Sequence, residues 1–419
     1  MSLNAEQSEA YERCITGQSV LLTGAGGVGK SFTIRRVCST FEDMVRPYAI
    51  TASTGAAAVL IEGMTIHRWA GIGLGTATAE RLAHDILFSP GRAEAKRHWQ
   101  TTRCLIIDEI SMIDAQLFDK LEHIARIVRN NHTPFGGMQL IVCGDFAQLP
   151  PVKAKGGFAF QAKSWPSVID ATIELTQIVR QSEESFRAAL NEIRFGKVSK
   201  TTIDLLRSRV GAEVGNDLIK PTMLLSKRKD VKRVNEEHLA RLEGAEYVFD
   251  AADKVLVNGV TSRQPLDDET RIKLNRDMQA RERVTLKVGA QVMLIFNHSN
   301  ELVNGSRGVV TGIRNGMPLV QFLNGTELVI QRHTWKVKLS DSQLFVRTQI
   351  PLMLAYAVTQ HKAQGSSLDC VDIDISNCFE AGQAYVALSR VRTLQGLRLR
   401  KPDLSRIIVH PEVKRFYGR

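Results

Sequence analysis

What this 419-residue sequence lacks narrows its class before any motif is considered. Its six cysteines, Cys14, Cys38, Cys104, Cys143, Cys370 and Cys378, form no CxxC pair and sit mostly in apolar, strand-like runs. That pattern excludes a zinc-ribbon or disulfide-framework reading and predicts buried free thiols. Nothing approaches 18 consecutive apolar residues, so no membrane-spanning helix is expected. No long low-complexity tract interrupts the chain, and a composition of 43% hydrophobic and 24% charged residues is that of a folded globular protein. The start, MSLNAEQSEAYERC, carries Glu6, Glu9 and Glu12. It resembles neither a secretory signal nor an acid-poor transit peptide, and no targeting signal is expected.

What is present begins with charge. Lys and Arg number 55 against 44 Asp and Glu, a net +11 that favours polyanionic partners such as nucleic acid. Charge of this kind is weak evidence alone. The length calls for two to four domains at roughly 100 to 200 residues each.

Residues 1–165 alternate short apolar runs (SVLLTG, YAITAS, CLIIDE, QLIVCGD) with helical stretches, the pattern of βαβ units under a doubly wound parallel sheet. Residues 74–100 break that rhythm with a charged, His-containing segment, read as a surface insertion. A second α/β region is expected over 166–283 and 347–419, with its first elements near Ile173. Between its halves, residues 284–346 switch to short alternating runs broken by Asn-Gly, which predicts hairpins and a small inserted β-barrel.

The strongest single signal is Gly24-Ala25-Gly26-Gly27-Val28-Gly29-Lys30-Ser31, a GxxxxGK[ST] loop that follows the strand-like Ser19–Leu22 and opens a helix. Glycines turn successive backbone N–H groups toward phosphates and the helix N-terminus adds positive potential. Lys30 is placed to reach the outer phosphates of ATP, and Ser31 to coordinate Mg²⁺. Such a match arises by chance in roughly a few per cent of chains this long, so a glycine turn with a stray lysine is a poor alternative.

Asp108-Glu109 ends the run Cys104–Ile107, where a strand's C-terminus delivers carboxylates to the phosphate site. Asp108 is expected to hold Mg²⁺ and Glu109 to orient or deprotonate the attacking water. Alone the pair would read as a solvated turn; the upstream phosphate loop favours chemistry. A further strand, Leu140–Cys143, leads into GDFAQLPP, where Gln148 suits a γ-phosphate sensor. An ordinary loop closed by Pro150 and Pro151 is an equal alternative there. Arg180 and Arg390 follow apolar segments and suit arginine fingers, although most arginines are surface residues. Thr54, Gly55, Thr65 and His67, and later His361, Lys362, Gly365 and Ser366, lie in small polar segments that suit contacts to the phosphate and sugar of one strand. A lone histidine such as His67 is more often structural.

Taken in order, Glu6-Gln7, GAGGVGKS, TASTGAAA, TIHRWAGIGLG, DEISM, GDFAQLPPV, LTQIVRQ, HKAQGSSL and YVALSR resemble superfamily 1B DNA helicases. The resemblance is to the petite integration frequency branch, related to the bacterial RecD subunit, and it spans nearly the whole chain. It implies two RecA-like P-loop motor domains, a wedge insertion in the first and an SH3-like barrel in the second. It also implies that Gln7 contacts adenine, that Glu109 activates water, that Arg180 and Arg390 reach the γ-phosphate, and that Gly365 belongs to the nucleotide site. Translocation 5′ to 3′ on single-stranded DNA follows by the same analogy, with unwinding of duplex, forks and G-quadruplexes, and a monomer as the minimal motor. The corresponding location is the cytoplasm for a bacterial or viral chain and the nucleus or mitochondrion for a eukaryotic one. Two rival classes stay open on residues alone. One is a nucleotide-dependent clamp that never translocates. The other is a P-loop GTPase or small-molecule kinase, against which the lack of an NKxD segment weighs.

Overall fold

The structure, a computed structural model, describes residues 2–151, 156–177, 183–215, 219–225, 227–262, 264, 266–299, 301–359, 368–400 and 403–418. Its contacts divide the chain into two compact units, residues 1–179 with 337–344, and residues 180–336 with 345–419.

The first unit runs α1 (Ala5–Ile15), β1 (Val20–Gly24), α2 (Lys30–Asp43), β2 (Tyr48–Ala52), α3 (Gly55–Leu60), β3 (Met64–Thr65) and α4 (Ile66–Trp69). It continues through α5 (Ala79–Phe88), α6 (Ala93–Thr101), β4 (Cys104–Asp108), α7 (Ala115–Arg129), β5 (Gln139–Cys143), α8 (Trp165–Val168) and β6 (Ala171–Leu175). The strands form one parallel sheet in the order β3-β2-β4-β5-β1-β6. Because helices cover both faces, β1 and β5 are buried at every position, which explains their unbroken apolar runs. Val20, Leu22, Ile106, Ile141 and Phe41 share one core with Cys14, Cys38 and Cys104.

Local signals set the helix ends. Asn4 caps α1 in a reciprocal box with Gln7. Asp114 caps α7 and Asn130 closes it in the left-handed conformation. The segment expected as an insertion forms α5 and α6, which bury Leu82, Ala83, Ile86 and Trp99. Trp99 packs 4.7 Å from Trp69 between ring centroids, and its indole N–H donates to the Ala70 carbonyl at 3.0 Å. One assignment shifts: β6, read in sequence as the opening of the second region, is the sixth strand of the first sheet, in register with β1 from Val20↔Ala171 to Gly24↔Leu175. No change of composition marks which sheet a short alternating strand joins.

The second unit contains α9 (Glu184–Phe195), α10 (Lys200–Arg207), β7 (Thr222–Leu225) and α11 (Arg228–Ala240). A β-rich region follows with β8 (Tyr247–Asp250), β9 (Ala252–Val257), β10 (Val260–Thr261), α12 (Asp268–Asp277), β11 (Arg283–Leu286), β12 (Gln291–Leu294), β13 (Arg307–Arg314) and β14 (Met317–Phe322). It ends with β15 (Glu327–Val329), β16 (His333–Lys338), β17 (Gln343–Gln349) and β18 (Leu352–Leu354). The chain then returns through β19 (Ala357–Thr359), β20 (Val371–Ile373), α13 (Gln383–Leu388), β21 (Leu397–Leu399) and α14 (Pro411–Phe416).

β19-β7-β20-β21 form a second parallel sheet, while β15-β14-β13-β12-β18 form an antiparallel one. The β-rich region therefore begins at Tyr247, ahead of residue 284: β9 and β10 form a hairpin through Asn258-Gly259, an Asn-Gly turn inside the span read in sequence as α/β. Arg307 of β13 is fully buried where this region meets the parallel sheet. Its guanidinium donates to Thr222 Oγ1, and at 2.8 Å to the Lys220 carbonyl. Burial lowers its pKa.

Candidate functional site

The phosphate loop occupies the turn from β1 to α2 in the first unit. Gly27 and Gly29 adopt φ of +89° and +90°, conformations that a side chain disfavours and that the loop's tight curl requires. Gly29 is the N-cap of α2 and supplies no side-chain cap, so the helix opens on backbone amides, the arrangement suited to an anion. Lys30 extends along the loop, its Nζ donating to the carbonyls of Gly24 at 2.7 Å and Ala25 at 3.0 Å. Ala25 and Val28 are buried beneath it, Gly26 is half-buried, and Ser31 is exposed on the first turn of α2. Gln7 of α1 reaches the same loop and donates from Nε2 to the Val28 carbonyl at 3.3 Å.

Two strands away, β4 ends at Asp108, and Glu109 follows it. Glu109 takes φ +54° and ψ +47°, left-handed for a residue with a side chain, and its N–H donates to Asp108 Oδ1 at 2.9 Å. Such a conformation costs about 1–3 kcal/mol and is characteristic of functional positions. Burial, the largest influence, raises the Asp108 pKa; the Glu109 amide and the positive charge of Lys30 pull it down. Lys30 and Asp108, distant in sequence, thus feel each other's charge.

The residue that sequence reasoning missed here is Cys143. The register pairs Ile107 with Val142, which sets Cys143 beside Asp108. The thiol donates to the carboxylate, and burial, with Asp108 next in weight, pushes its pKa well up. The signal was available, since the parallel alignment of CLIID with QLIVC follows from strand length. Ser111 is buried and Ser53 half-buried near these strand ends, and the enclosed Oγ atoms of both have no hydrogen-bond partner among the described residues.

Gln148 lies beyond β5 with 5% exposure, its N–H donating to the Asp145 carbonyl at 3.0 Å. The hydroxyl of Thr54 accepts from Ala57 N at 3.2 Å and that of Thr65 from Arg68 N at 3.4 Å, so both cap short helices, with Gly55 opening α3. His67 is half-buried in α4. In the second unit, Arg390 follows α13 and is 2% exposed, with Nε donating to the Val386 carbonyl at 2.9 Å. Arg180, His361, Lys362, Gly365 and Ser366 lie outside the described residues. The first unit accordingly brings together Gln7, the phosphate loop, Asp108, Glu109 and Gln148 at the C-terminal edge of one parallel sheet.

Comparison with known proteins places this geometry. A family model for PIF1-like helicases matches residues 2–204, and one for the 2B domain of DNA helicase Pif1 matches residues 271–313. The human (Homo sapiens) ATP-dependent DNA helicase PIF1 is 41% identical over 425 residues, which cover 99% of this chain and 63% of that protein. The chain thus spans a little under two thirds of that relative. The crystal structure of Pif1 helicase from Candida albicans is 35% identical, with a TM-score of 0.76 and coverage of 100% of this chain and 99% of the other. The Bacteroides Pif1 helicase in complex with ADP-AlF3 and ssDNA is 29% identical, with a TM-score of 0.64 and coverage of 100% and 97%. With 35% identity and a common fold over 99% of a solved Pif1 helicase, and a PIF1-like helicase family model matched from residue 2, this chain belongs to the Pif1 family of helicases.

Proposed function

We propose that the chain is an ATP-driven DNA helicase that moves 5′ to 3′ on single-stranded DNA. The observation that carries the reading is the convergence of Lys30, Asp108 and Glu109 at one sheet edge, in a chain of this family. The Bacteroides relative solved with both a nucleotide analogue and ssDNA supports the substrate class.

ATP supplies the phosphoryl group whose transfer to water releases the free energy for movement. Backbone amides at the start of α2 and the Lys30 ammonium bind its phosphates, and Gln7 steadies the loop beneath them. Asp108 and Ser31 are the residues that would hold Mg²⁺, which neutralises phosphate charge when bound. The residues fit the ion: Asp108 is an oxygen ligand already desolvated, and Ser53 and Ser111 add buried oxygens nearby. Glu109 orients and deprotonates the attacking water. Arg390, with Arg180, contacts the γ-phosphate from the second motor domain, and Gln148 senses its loss, so that the grip on DNA alternates with the nucleotide state. Thr54, Thr65, His67, His361, Lys362 and Ser366 line the DNA path; the capped hydroxyls of Thr54 and Thr65 fix the loops whose backbone contributes there. Duplex, fork and G-quadruplex unwinding by a monomer belong to the same proposal. The first motor takes residues 1–165 together with β6, with 74–100 as its wedge. The second takes the α/β remainder of 166–283 and 347–419, and the barrel lies around 284–346 within the β-rich region that opens at Tyr247. Among the described residues no helix is long and apolar enough to cross a membrane.

The test incubates the protein with ATP, Mg²⁺ and partial duplexes bearing either a 5′ or a 3′ single-stranded tail, with Glu109→Gln as control. Unwinding of the 5′-tailed duplex alone is expected. Preference for the 3′ tail overturns the polarity, and DNA-stimulated ATP hydrolysis without strand separation on any substrate overturns the motor in favour of a clamp.

A further inference from the structure

Helix α6 carries a histidine whose free ring nitrogen faces only acceptors. His98 is 9% exposed, and its ring lies parallel to that of Trp69, 3° between planes and 6.0 Å between centroids. Its Nδ1 stands 3.0 Å from the Trp69 carbonyl oxygen. A carbonyl only accepts, so the proton of the neutral ring sits on Nδ1 and Nε2 presents its lone pair. What Nε2 meets is Asp341 Oδ2 at 2.9 Å and Glu94 Oε1 at 3.6 Å. No donor among the described residues reaches it. Three electron-rich atoms, all within 4.8 Å of one another, repel unless a cation lies between them, either a proton or a metal ion.

The proton is the weaker candidate. Burial, the largest influence, lowers the His98 pKa, and Arg97 and Lys338 add to it against the opposing pull of the Trp69 carbonyl and Glu94. The geometry suits an ion. Glu94 and His98 stand four residues apart on α6 and so share one face of the helix. Asp341 comes from the turn between β16 and β17, and its own N–H donates to Glu94 Oε1 at 2.5 Å, which fixes the two carboxylates against each other. Two ligand atoms each about 2 Å from a tetrahedral ion stand about 3.3 Å apart, between the 2.9 and 3.6 Å separations found here. A bond from the other ring nitrogen to a backbone carbonyl is the support that metal-binding histidines have.

Two cationic side chains already touch Asp341, and neither blocks the site. Lys338 pairs with Oδ1 at 2.7 Å and can stay there while Oδ2 binds an ion. Arg97 pairs with Oδ2, but its side chain is 57% exposed, so its release into solvent costs little. We propose that Glu94, His98 and Asp341 bind one divalent ion of the zinc class, with water completing a tetrahedral shell, and that the ion fastens the β16–β17 turn to α6. The imidazole nitrogen selects against Mg²⁺ and Ca²⁺, which prefer oxygen throughout. The site shares no residue with the nucleotide site, where Asp108 and Ser31 serve Mg²⁺, and it stands whether or not the chain is a motor.

The experiment titrates Co²⁺ into chelator-treated, nucleotide-free protein, follows the visible absorption and then displaces the ion with Zn²⁺. Asp341→Asn and Glu94→Gln each remove a partly exposed carboxylate without opening the core, and Asp108→Asn controls for uptake at the nucleotide site. A second measurement reads the thermal unfolding midpoint with and without Zn²⁺. Wild type and Asp108→Asn should take up one equivalent of Co²⁺ with the intense bands of a four-coordinate site, and release it to Zn²⁺. Affinity should fall by about tenfold or more in Asp341→Asn and in Glu94→Gln. Zn²⁺ should raise the midpoint of wild type and leave that of Asp341→Asn unmoved. A wild type that takes up no Co²⁺ overturns the proposal and leaves a proton as the bridging cation. Full affinity in Asp341→Asn overturns it too, as does an uptake lost in Asp108→Asn alone.

Discussion

Gln7 lies directly over Gly29: a β-carbon built on Gly29 would come 2.4 Å from Gln7 Nε2, at a residue whose φ is already +90°. Helix α1 and the phosphate loop are thus fitted to each other through a glycine and an amide. Gly29→Ala should meet both backbone strain and this clash, and is expected to abolish ATP binding, measured with a fluorescent nucleotide analogue. Gln7→Ala removes two side-chain hydrogen bonds, the buried one donated to the Val28 carbonyl and the one its Oε1 accepts from Asn4 N. It should raise the KM for ATP by roughly three- to tenfold with kcat less affected.

Glu109 separates binding from turnover. Glu109→Gln keeps the shape and the amide bond to Asp108 while removing the base, so kcat for ATP should drop by about 10² to 10⁴. Filter binding of ATP should change little. Glu109→Val should also lower the melting temperature, because a β-branched residue resists the left-handed conformation found there.

The buried guanidinium of Arg307 gives a stability test. Arg307→Ala deletes the donors to Thr222, Lys220 and Gln291 and opens a cavity, with an expected loss of about 3–5 kcal/mol in urea unfolding. Arg307→Met keeps most of the volume without the charge and should cost at least 1 kcal/mol less, by the same melt.

All six cysteines are buried thiols outside any disulfide. Burial, the main cause in each, raises the thiol of Cys14 to about 12 and that of Cys38 to about 11. A raised thiol pKa disfavours the thiolate, so at pH 8 an Ellman assay on the native protein should register almost no reaction. Six equivalents should appear in denaturant. Fast labelling of several thiols in the native state at pH 8 would contradict this burial.

The sequence made much of this molecule legible, for reasons that differ by element. The phosphate loop and Asp108-Glu109 could be read because their chemistry demands particular residues at fixed spacing beside a strand. The buried parallel strands showed themselves as unbroken apolar runs. β6 could not be assigned to its sheet, since its alternating ATIEL fits either neighbour and only the three-dimensional pairing with β1 decides. The role of Thr54 and Thr65 as helix caps was hidden for another reason: a hydroxyl that accepts a backbone N–H and one that faces a phosphate have the same sequence signature. Arg307 stayed silent because a lone arginine in a strand reads as surface, and its acceptors are a threonine hydroxyl and backbone carbonyls far away in sequence, which leave no mark on composition.

The second parallel sheet implies an order of events during synthesis. β7 lies between β19 and β20 in the finished fold, in register Met223↔Ala357 and Met223↔Asp372, so its neighbours are made about 130 residues or more after it. On a ribosome that releases the chain from its N-terminus, Thr222–Leu225 emerges with both edges open and stays so while the β-rich region is translated. That region must bring its own two ends together before β19 can slot in, so its folding gates the closure of the sheet. A nascent chain stalled before Ala357 would hold a finished first sheet and an orphan strand, the kind of exposed edge that molecular chaperones recognise.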